Sequence, residues 1–189
     1  MLSDLIAIDK SLFHLINGKW HHPFLDALLP LIRTSQLWYP MYLFLILVVF
    51  MNFKQGRWWW ILFFGFVPVI SDFISSDIIK EHFFRLRPCN DPAMQDQLRF
   101  LLGYKPQSSS FTSSHATNHF ALASFFYFTL KDCMGKWTFL FFVWAFMICW
   151  AQVYVGVHYP ADVIFGGFIG VLIGFLISYF FNKKIALAY

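Results

Sequence analysis

The sequence predicts an all-α protein, a polytopic membrane helix bundle of about six membrane segments with an N-terminal interfacial helix. Its 189 residues are 59% hydrophobic and only 13% charged, which is too apolar for an ordinary soluble surface. Apolar runs of about 20 residues, the length that crosses a bilayer, recur along the chain. No stretch has the composition of a linker, so residues 1–189 are expected to form a single membrane-embedded domain.

The first 22 residues predict the interfacial helix. Between residues 3 and 17, apolar positions at helical spacing face Asp4, Lys10 and Asn17, a pattern typical of a helix in the membrane interface. A basic leader ahead of a compact apolar core is missing, so this segment is not expected to be a cleavable signal peptide. Residues 23–33 predict a sixth, shorter apolar helix that spans only partly.

Five stronger spans follow, bounded by charged residues, Pro or Gly. They cover residues 37–53, 58–79, 111–130, 137–154 and 161–181. The basic residues of two short loops share a side with the basic tail, namely Lys54, Arg57, Lys131, Lys136, Lys183 and Lys184. The positive-inside rule makes that side cytoplasmic. We therefore expect a multi-pass protein of the inner (cell) membrane, with residues 81–110 as an exoplasmic loop region facing the periplasm or exterior.

The distribution of charge and the spacing of the cysteines limit which classes of binding partner are expected. The formal net charge is +4, but the basic residues are scattered and form no stripe, so nucleic acid is not expected as a partner. The three cysteines are widely spaced, which indicates neither a disulfide framework nor a paired metal ribbon. Membrane lipids are the expected surroundings. In the last span Gly166, Gly170 and Gly174 share one face, which predicts close packing within the bundle or a possible homodimer contact.

Three polar clusters fall at the ends of predicted spans, all at the same membrane face. Their segments are "KEHFFRLRP", with Lys80 and Arg87; "SFTSSHATNHF", with Ser113, Ser114, His115 and His119; and "QVYVGVHYPAD", with Gln152, His158 and Asp162. Ionisable groups at membrane depth are costly and usually face a cavity or a partner. Their convergence therefore predicts a functional site.

His158 and Asp162 lie four positions apart, on one face of a helix that begins near Pro160. Asp162 can accept the ring N–H of His158, which fixes the tautomer and leaves the other nitrogen as a nucleophile or a base. The competing interpretation is a helix-start Asp beside a His at the membrane interface. Taken alone, the pair supports both interpretations equally.

The second and first clusters suit an anion. Ser113 is a good N-cap, and the first-turn amides of its helix attract a group such as phosphate. His115 lies in that turn and could protonate a leaving oxygen. Lys80 and Arg87 offer a point charge and a fork of the kind found around phosphate. Taken alone, these residues are more typical of an ordinary cap and of topology signals at a helix end.

A metal site is the alternative for the second cluster. His115 and His119 are four residues apart and could act as metal ligands on one helix face. No carboxylate accompanies them in this helix, and Asp162 already serves as a partner for His158. We therefore expect no metal and no cofactor.

Together the clusters resemble the signature of the type 2 phosphatidic acid phosphatase family, K-x6-RP, then PSGH, then SR-x5-H-x3-D. The matching residues are Lys80, Arg87, Pro88, Ser113, His115, His158 and Asp162. The departures are Thr112 for Pro, Ser114 for Gly, Ala151 for Ser and Gln152 for Arg. The resemblance covers residues 56–181, and a three-part signature of this kind is highly specific.

The resemblance implies a metal-independent phosphatase or pyrophosphatase that acts on lipid phosphates through a phosphohistidine intermediate. It implies that His158 attacks phosphorus, Asp162 orients it and His115 protonates the departing lipid oxygen. The phosphoryl oxygens are then held by Lys80, Arg87 and the amides near Ser113 and Ser114. The residues alone lead to the same roles, but they do not decide between His158 and His115 as the nucleophile.

The substrate and the departure at Gln152 leave alternatives open. Undecaprenyl pyrophosphate is the first expectation, with phosphatidylglycerophosphate and lipid A phosphates close behind. A glutamine can still bind phosphate, but we expect Gln152→Arg to raise activity. The alternatives are a lipid-phosphate-binding pseudoenzyme, an engineered low-activity variant and, less favoured, a proton-relay transporter.

Overall fold

The computed structural model describes residues 2–189, and their regular structure is helical. The helices are α1 (Leu2–His14), α2 (Pro23–Ile32), α3 (Tyr39–Asn52), α4 (Arg57–Asp72), α5 (Lys80–His82), α6 (Ser114–Met134), α7 (Leu140–Tyr154) and α8 (Pro160–Lys184). Within these residues the β contacts amount to one isolated bridge, between Gln55 and Ala188. The predicted all-α class is confirmed.

Among residues 2–189, four apolar helical stretches are long enough to cross a membrane: Ser35–Asn52, Arg57–His82, Ser114–Tyr154 and Pro160–Lys184. The second is continuous because a π-helical segment, Phe73–Ile79, joins α4 to α5. The third folds back on itself near Gly135, whose φ of 56° suits a residue without a side chain. Rings of α6 and α7 then meet, as between Phe126 and Phe141 at 5.1 Å. The bundle therefore has five crossings.

The sixth predicted segment, α2, does not cross the bundle. Near its start, Asp26 accepts a hydrogen bond from the Tyr154 hydroxyl at 2.6 Å. After its end, Arg33 donates from Nε to Gln152 Oε1 at 3.3 Å. Because both Tyr154 and Gln152 lie in the last turn of α7, α2 lies across the end of that helix. We call this end of the bundle the site face.

The N-terminal helix α1 lies at the same face. Asp9 accepts from the backbone N–H of Ala161 at 2.8 Å, at the start of α8. Lys10 forms a 2.8 Å salt bridge with Asp91 in the long connection between α5 and α6. Residues 2–33 therefore cover the site face, whereas the basic residues of the short loops and the tail lie at the opposite end.

The glycine face of α8 packs against α6. A Cβ on Gly170 would lie 2.3 Å from the Thr117 carbonyl oxygen, and one on Gly174 would lie 2.2 Å from that of Ala121. Only glycine permits this approach of two helices, so the predicted packing within the bundle is observed. The surface that the sequence offered for a homodimer is accordingly covered by α6.

The outer surface of the bundle is apolar. Large side chains are exposed along its helices, for example Met51 at 81%, Val69 at 62% and Phe168 at 71%. Exposed apolar side chains of this number and size suit lipid rather than water. The chain is an integral membrane protein.

Candidate active site

The three polar clusters of the sequence meet at the site face. The Ser113 N–H donates to the Asp162 carbonyl oxygen at 3.1 Å and so ties the start of α6 to the start of α8. Lys80 donates from Nζ to Ser114 Oγ at 2.6 Å. Arg87 Nη1 lies 3.0 Å from His158 Nε2. The structure thus brings all three segments into one buried site.

His158 is held just before α8. Pro160 occupies the first turn of that helix, and Asp162 caps it by accepting from the Tyr159 N–H at 2.9 Å. The His158 Nδ1 lies 3.6 Å from Asp162 Oδ2. Because Arg87 can only donate, its contact makes Nε2 an acceptor and places the ring proton on Nδ1, toward Asp162.

Burial sets the protonation state of His158. Its exposed fraction is 2%. Burial lowers the pKa of His158 to about 4, and the nearby charge of Arg87 acts in the same direction against the opposing effect of Asp162. The imidazole is therefore neutral at pH 7 and keeps a lone pair on Nε2.

Asp162 is fully buried and surrounded by donors. Arg85 donates from Nη1 to Oδ1 at 2.7 Å, and the Ser110 hydroxyl donates to Oδ2. The other nitrogen of Arg85, Nη2, donates to Asp9 Oδ2 at 2.6 Å. These donors keep the carboxylate charged and fixed beside His158.

Arg87 is positioned by the loop that precedes α6. Its Nε donates to the Ser108 carbonyl oxygen at 2.8 Å, and its Nη2 donates to the Ser108 hydroxyl at 3.0 Å. Only 6% of Arg87 is exposed, and burial lowers its pKa from the ordinary arginine value. The guanidinium is thus aimed at His158, and it forms no salt bridge with a carboxylate of the described residues.

Ser113 caps α6, as the sequence predicted. Its hydroxyl accepts from the Ala116 N–H at 3.4 Å, and its own N–H is taken up by Asp162. The expectation that the amides near Ser113 and Ser114 hold phosphoryl oxygens stays a prediction. Ser114 contacts Lys80 and lies 2.9 Å from the Ser76 hydroxyl.

His115 and Ser114 line a cavity of about 380 Å³ between α3, α4 and α6. The other walls are mixed, with Tyr42 and Phe64 on the apolar side and Asp72 on the polar side. The His115 carbonyl accepts from His119 Nδ1 at 2.7 Å, and the two rings stack with centroids 6.1 Å apart. Among residues 2–189, no group of three His, Cys, Asp or Glu side chains could hold a metal ion.

Gln152 lies in the last turn of α7 with no exposed surface. Its Oε1 accepts from Arg33, whereas its Nε2 has no hydrogen-bond partner among the described residues. Arg33 itself is 8% exposed. The sequence signature therefore identified Gln152, but it gave no indication that Arg33 lies beside it.

Four polar residues around the site were not predicted from the sequence: Asp9, Arg33, Ser110 and Arg85. Three of them contact residues more than 70 positions away, so no local spacing could reveal them. A usable signal existed for Arg85, which shares the segment "RLRP" with Arg87. For Arg33 the available signal was its position, because it is the basic residue that directly follows the apolar helix α2.

Comparisons with known proteins identify the family of the chain. The chain matches the PAP2 superfamily over residues 58–186. It is 28% identical to a lipid A 4'-phosphatase of Porphyromonas gingivalis over 175 residues, which cover 90% of this chain and 71% of that protein. It is also 28% identical to a lipid A 4'-phosphatase of Bacteroides thetaiotaomicron over 189 residues, with 98% and 82% covered.

Two solved structures share the architecture. The crystal structure of Aquifex aeolicus LpxE superposes with a TM-score of 0.63 at 26% identity, over 89% of this chain and 93% of that one. A PAP2 type phosphatidylglycerolphosphate phosphatase from Bacillus subtilis superposes with a TM-score of 0.70 at 22% identity, over 96% and 88%. The second likeness concerns the fold alone. From the matched range and the geometry of the site, the chain belongs to the PAP2 superfamily.

Proposed function

We propose that this protein is a membrane lipid phosphatase that removes phosphate from a lipid A-type glycolipid through a phosphohistidine intermediate. The observation that supports this most directly is the state of His158. Its proton lies on Nδ1 beside Asp162, and its Nε2 lone pair is held at the Arg87 guanidinium. A neutral, oriented imidazole next to a phosphate-binding fork is the arrangement that nucleophilic attack on phosphorus requires.

The first step transfers the phosphoryl group to the enzyme. His158 Nε2 forms a bond to phosphorus while the bond from phosphorus to the lipid oxygen breaks. His115, in the first turn of α6, donates a proton to that departing oxygen. Asp162 stabilises the positive charge that develops on the His158 ring.

The second step releases phosphate. His115, now neutral, takes a proton from a water molecule that attacks phosphorus, and the bond between phosphorus and Nε2 breaks. Inorganic phosphate leaves, and both histidines return to their starting states. Lys80, Arg87 and the first-turn amide of Ser114 stabilise the phosphoryl oxygens throughout. Because side chains supply this charge, we propose that catalysis is independent of metal.

The choice of substrate rests on the relatives. The two similar proteins named above are lipid A 4'-phosphatases, so a lipid A phosphate replaces undecaprenyl pyrophosphate as the first candidate. The cavity beside His115 has apolar as well as polar walls, which suits a phosphorylated lipid headgroup at the membrane surface.

The basic residues of the end opposite the site support an orientation. Lys54, Arg57 and the basic tail lie there, and the positive-inside rule places such an end in the cytoplasm. We therefore propose that the protein resides in the inner (cell) membrane with its site face toward the periplasm or exterior.

Phosphate release by the purified protein tests the proposal. The substrates are lipid A bearing a 4'-phosphate, phosphatidylglycerophosphate, undecaprenyl pyrophosphate and phosphatidic acid, each with EDTA present. We expect EDTA-resistant turnover that is fastest on lipid A and absent in His158→Ala. The control is His21→Ala, which changes an exposed histidine whose ring contacts the Gly18 carbonyl oxygen.

The chemistry can be tested separately. Brief reaction with radiolabelled substrate is expected to leave a label on the protein that is stable to alkali and labile to acid, as a phosphoramidate is. No turnover on any substrate would contradict the proposal and favour a lipid-phosphate-binding pseudoenzyme. EDTA-sensitive turnover would contradict metal independence and revive the two-histidine metal site.

A further inference from the structure

The Arg33 side chain is buried at the site face, and no carboxylate of residues 2–189 forms a salt bridge with it. Its Nε donates to Gln152 Oε1 at 3.3 Å, and this is its single side-chain hydrogen bond within residues 2–189. None of the salt bridges formed in that range includes Arg33. A guanidinium has five N–H donors, so its two terminal nitrogens keep most of their hydrogen-bonding capacity.

A buried guanidinium such as that of Arg33 is expected to bind an anion. A buried charge is costly unless an opposite charge accompanies it. The charge near Arg33 is of the same sign, because Arg33 adds to the lowering of the Arg87 pKa that burial chiefly causes. Like charges repel, and an anion that both guanidinium groups bind would offset this repulsion.

Gln152 supplies a second, independent observation. The side chain is fully buried, and its Nε2 donates to no acceptor in the described residues. A buried amide without a partner is destabilising. A ligand oxygen that accepted a hydrogen bond from Gln152 Nε2 would give this amide its missing partner. A ligand with several oxygens could accept from Arg33 as well.

The backbone connects this pair to the nucleophile. The Gln152 carbonyl accepts from the Val157 N–H at 3.2 Å. The Val157 carbonyl in turn lies 3.3 Å from Arg87 Nη1, the same nitrogen that contacts His158. Gln152, together with the Arg33 side chain that donates to it, is therefore linked through the backbone of Val157 to the segment that holds His158.

We propose that Arg33 and Gln152 form a split phosphate clamp, in which the Gln152 carboxamide orients the Arg33 guanidinium and both bind the phosphoryl oxygens of the substrate. The clamp rests on the function proposed above. It places a phosphate-binding charge on the segment before α3, outside the range matched by the superfamily. It also replaces the expectation that Gln152→Arg raises activity, since Arg33 already supplies the charge.

The central test exchanges the arginine and the glutamine between positions 33 and 152. Arg33→Gln is expected to lower kcat/KM about ten- to a hundredfold, the value of a hydrogen bond to a charged group. The double variant Arg33→Gln with Gln152→Arg is expected to recover most of that loss. Gln152→Arg alone is expected to give no gain, because a third guanidinium would join Arg33 and Arg87. Arg57→Gln, at the opposite end of the bundle, is the control.

A second measurement separates binding from folding and from turnover. Equilibrium dialysis with radiolabelled inorganic phosphate should show about tenfold weaker binding to Arg33→Gln and unchanged binding to Arg57→Gln. Millimolar guanidinium should restore part of the activity of Arg33→Gln, which a residue that only caps α2 would not allow. If Arg33→Gln does not fold, Arg33→Lys keeps the charge and removes the fork, and phosphate binding is expected to weaken in the same direction by a smaller factor.

Two outcomes would overturn the clamp. One is phosphate binding in the Arg33 variants that equals wild type, and the other is a loss of activity that arginine at 152 does not repair. Phosphate binding is measured without a lipid substrate, so the two proposals can fail separately. A wild-type protein that binds inorganic phosphate through Arg33 but hydrolyses no lipid phosphate would contradict the proposed function and leave the clamp intact.

Discussion

His158 Nδ1 lies 3.6 Å from Asp162 Oδ2, and the hydroxyl of Ser110 stands beside both atoms. Ser110 donates to Asp162 and lies 3.4 Å from the His158 nitrogen. The histidine is therefore oriented partly by direct attraction and partly through a hydroxyl that the sequence pattern did not indicate.

Removing the Ser110 hydroxyl should slow the reaction. Ser110→Ala leaves Asp162 with one donor fewer and lets the His158 ring turn. A hydrogen bond to a charged group contributes about 1.5 to 3 kcal/mol, so kcat should fall about ten- to a hundredfold. Initial rates of phosphate release measure this. Ser124→Ala is the control, because that buried hydroxyl donates to the Val171 carbonyl far from the site. Equal rates in the two variants would contradict the role of Ser110.

The protonation of His158 can be measured directly. Burial disfavours the charged imidazolium, so the shift is downward and the ring should be neutral above a pKa of about 4. NMR of histidine labelled with nitrogen-15 should show His158 as the Nδ1–H tautomer at pH 6 and its protonation midpoint near pH 4. The signal is assigned by its loss in His158→Gln. A midpoint at the ordinary value of about 6.5 would contradict the buried, neutral nucleophile.

Arg85 holds Asp162 from one side and Asp9 from the other, so its removal should damage both stability and activity. Arg85→Ala leaves Asp162 buried with a weaker counter-charge, a change that costs about 3 to 5 kcal/mol in comparable pairs. A lower melting temperature in detergent and a loss of most phosphate release are expected. Arg99→Ala is the control, since its pair with Asp26 is partly exposed and away from Asp162. A stable, active Arg85→Ala protein would show that Asp162 does not need this partner.

Gly170 and Gly174 of α8 should tolerate no side chain, because a Cβ on either would collide with a backbone carbonyl oxygen of α6. A Cβ on Gly174 would lie 2.2 Å from the Ala121 carbonyl oxygen, so Gly174→Ala must push α6 and α8 apart. We expect a large drop in melting temperature. Gly65→Ala is the matched control in α4, where a Cβ has nothing within 4 Å and removing a helix glycine stabilises by up to about 1 kcal/mol. Similar melting temperatures for Gly174→Ala and wild type would contradict this account of the packing.

The sequence predicted the parts of the site that follow local rules. His158 and Asp162 are one helical turn apart, and Lys80 and Arg87 flank a short segment, so spacing alone related each pair. The five crossings were visible because lipid demands long apolar runs. The short α2 was harder, since ten apolar residues suit a partial span as well as a helix that lies across the end of the bundle.

The remaining contacts depend on tertiary packing. Arg33 meets Gln152, and Asp9 meets Arg85, only because residues 2–33 fold over the end of the bundle. Gln152 shows the consequence most clearly. In the sequence, Gln152 replaces the arginine of the family signature, so a positive charge is missing there. In the structure, the guanidinium of Arg33, which follows α2, lies against Gln152.

The covering of the site face by the first 33 residues has an implication for exchange between relatives. Asp9 and Arg33 lie outside the matched range of residues 58–186. A chimera that joins this N-terminal segment to the catalytic helices of a relative with arginine at the position of Gln152 would bring two guanidinium groups into one small space. The N-terminal segment and the helices beneath it are therefore expected to work only as a matched set.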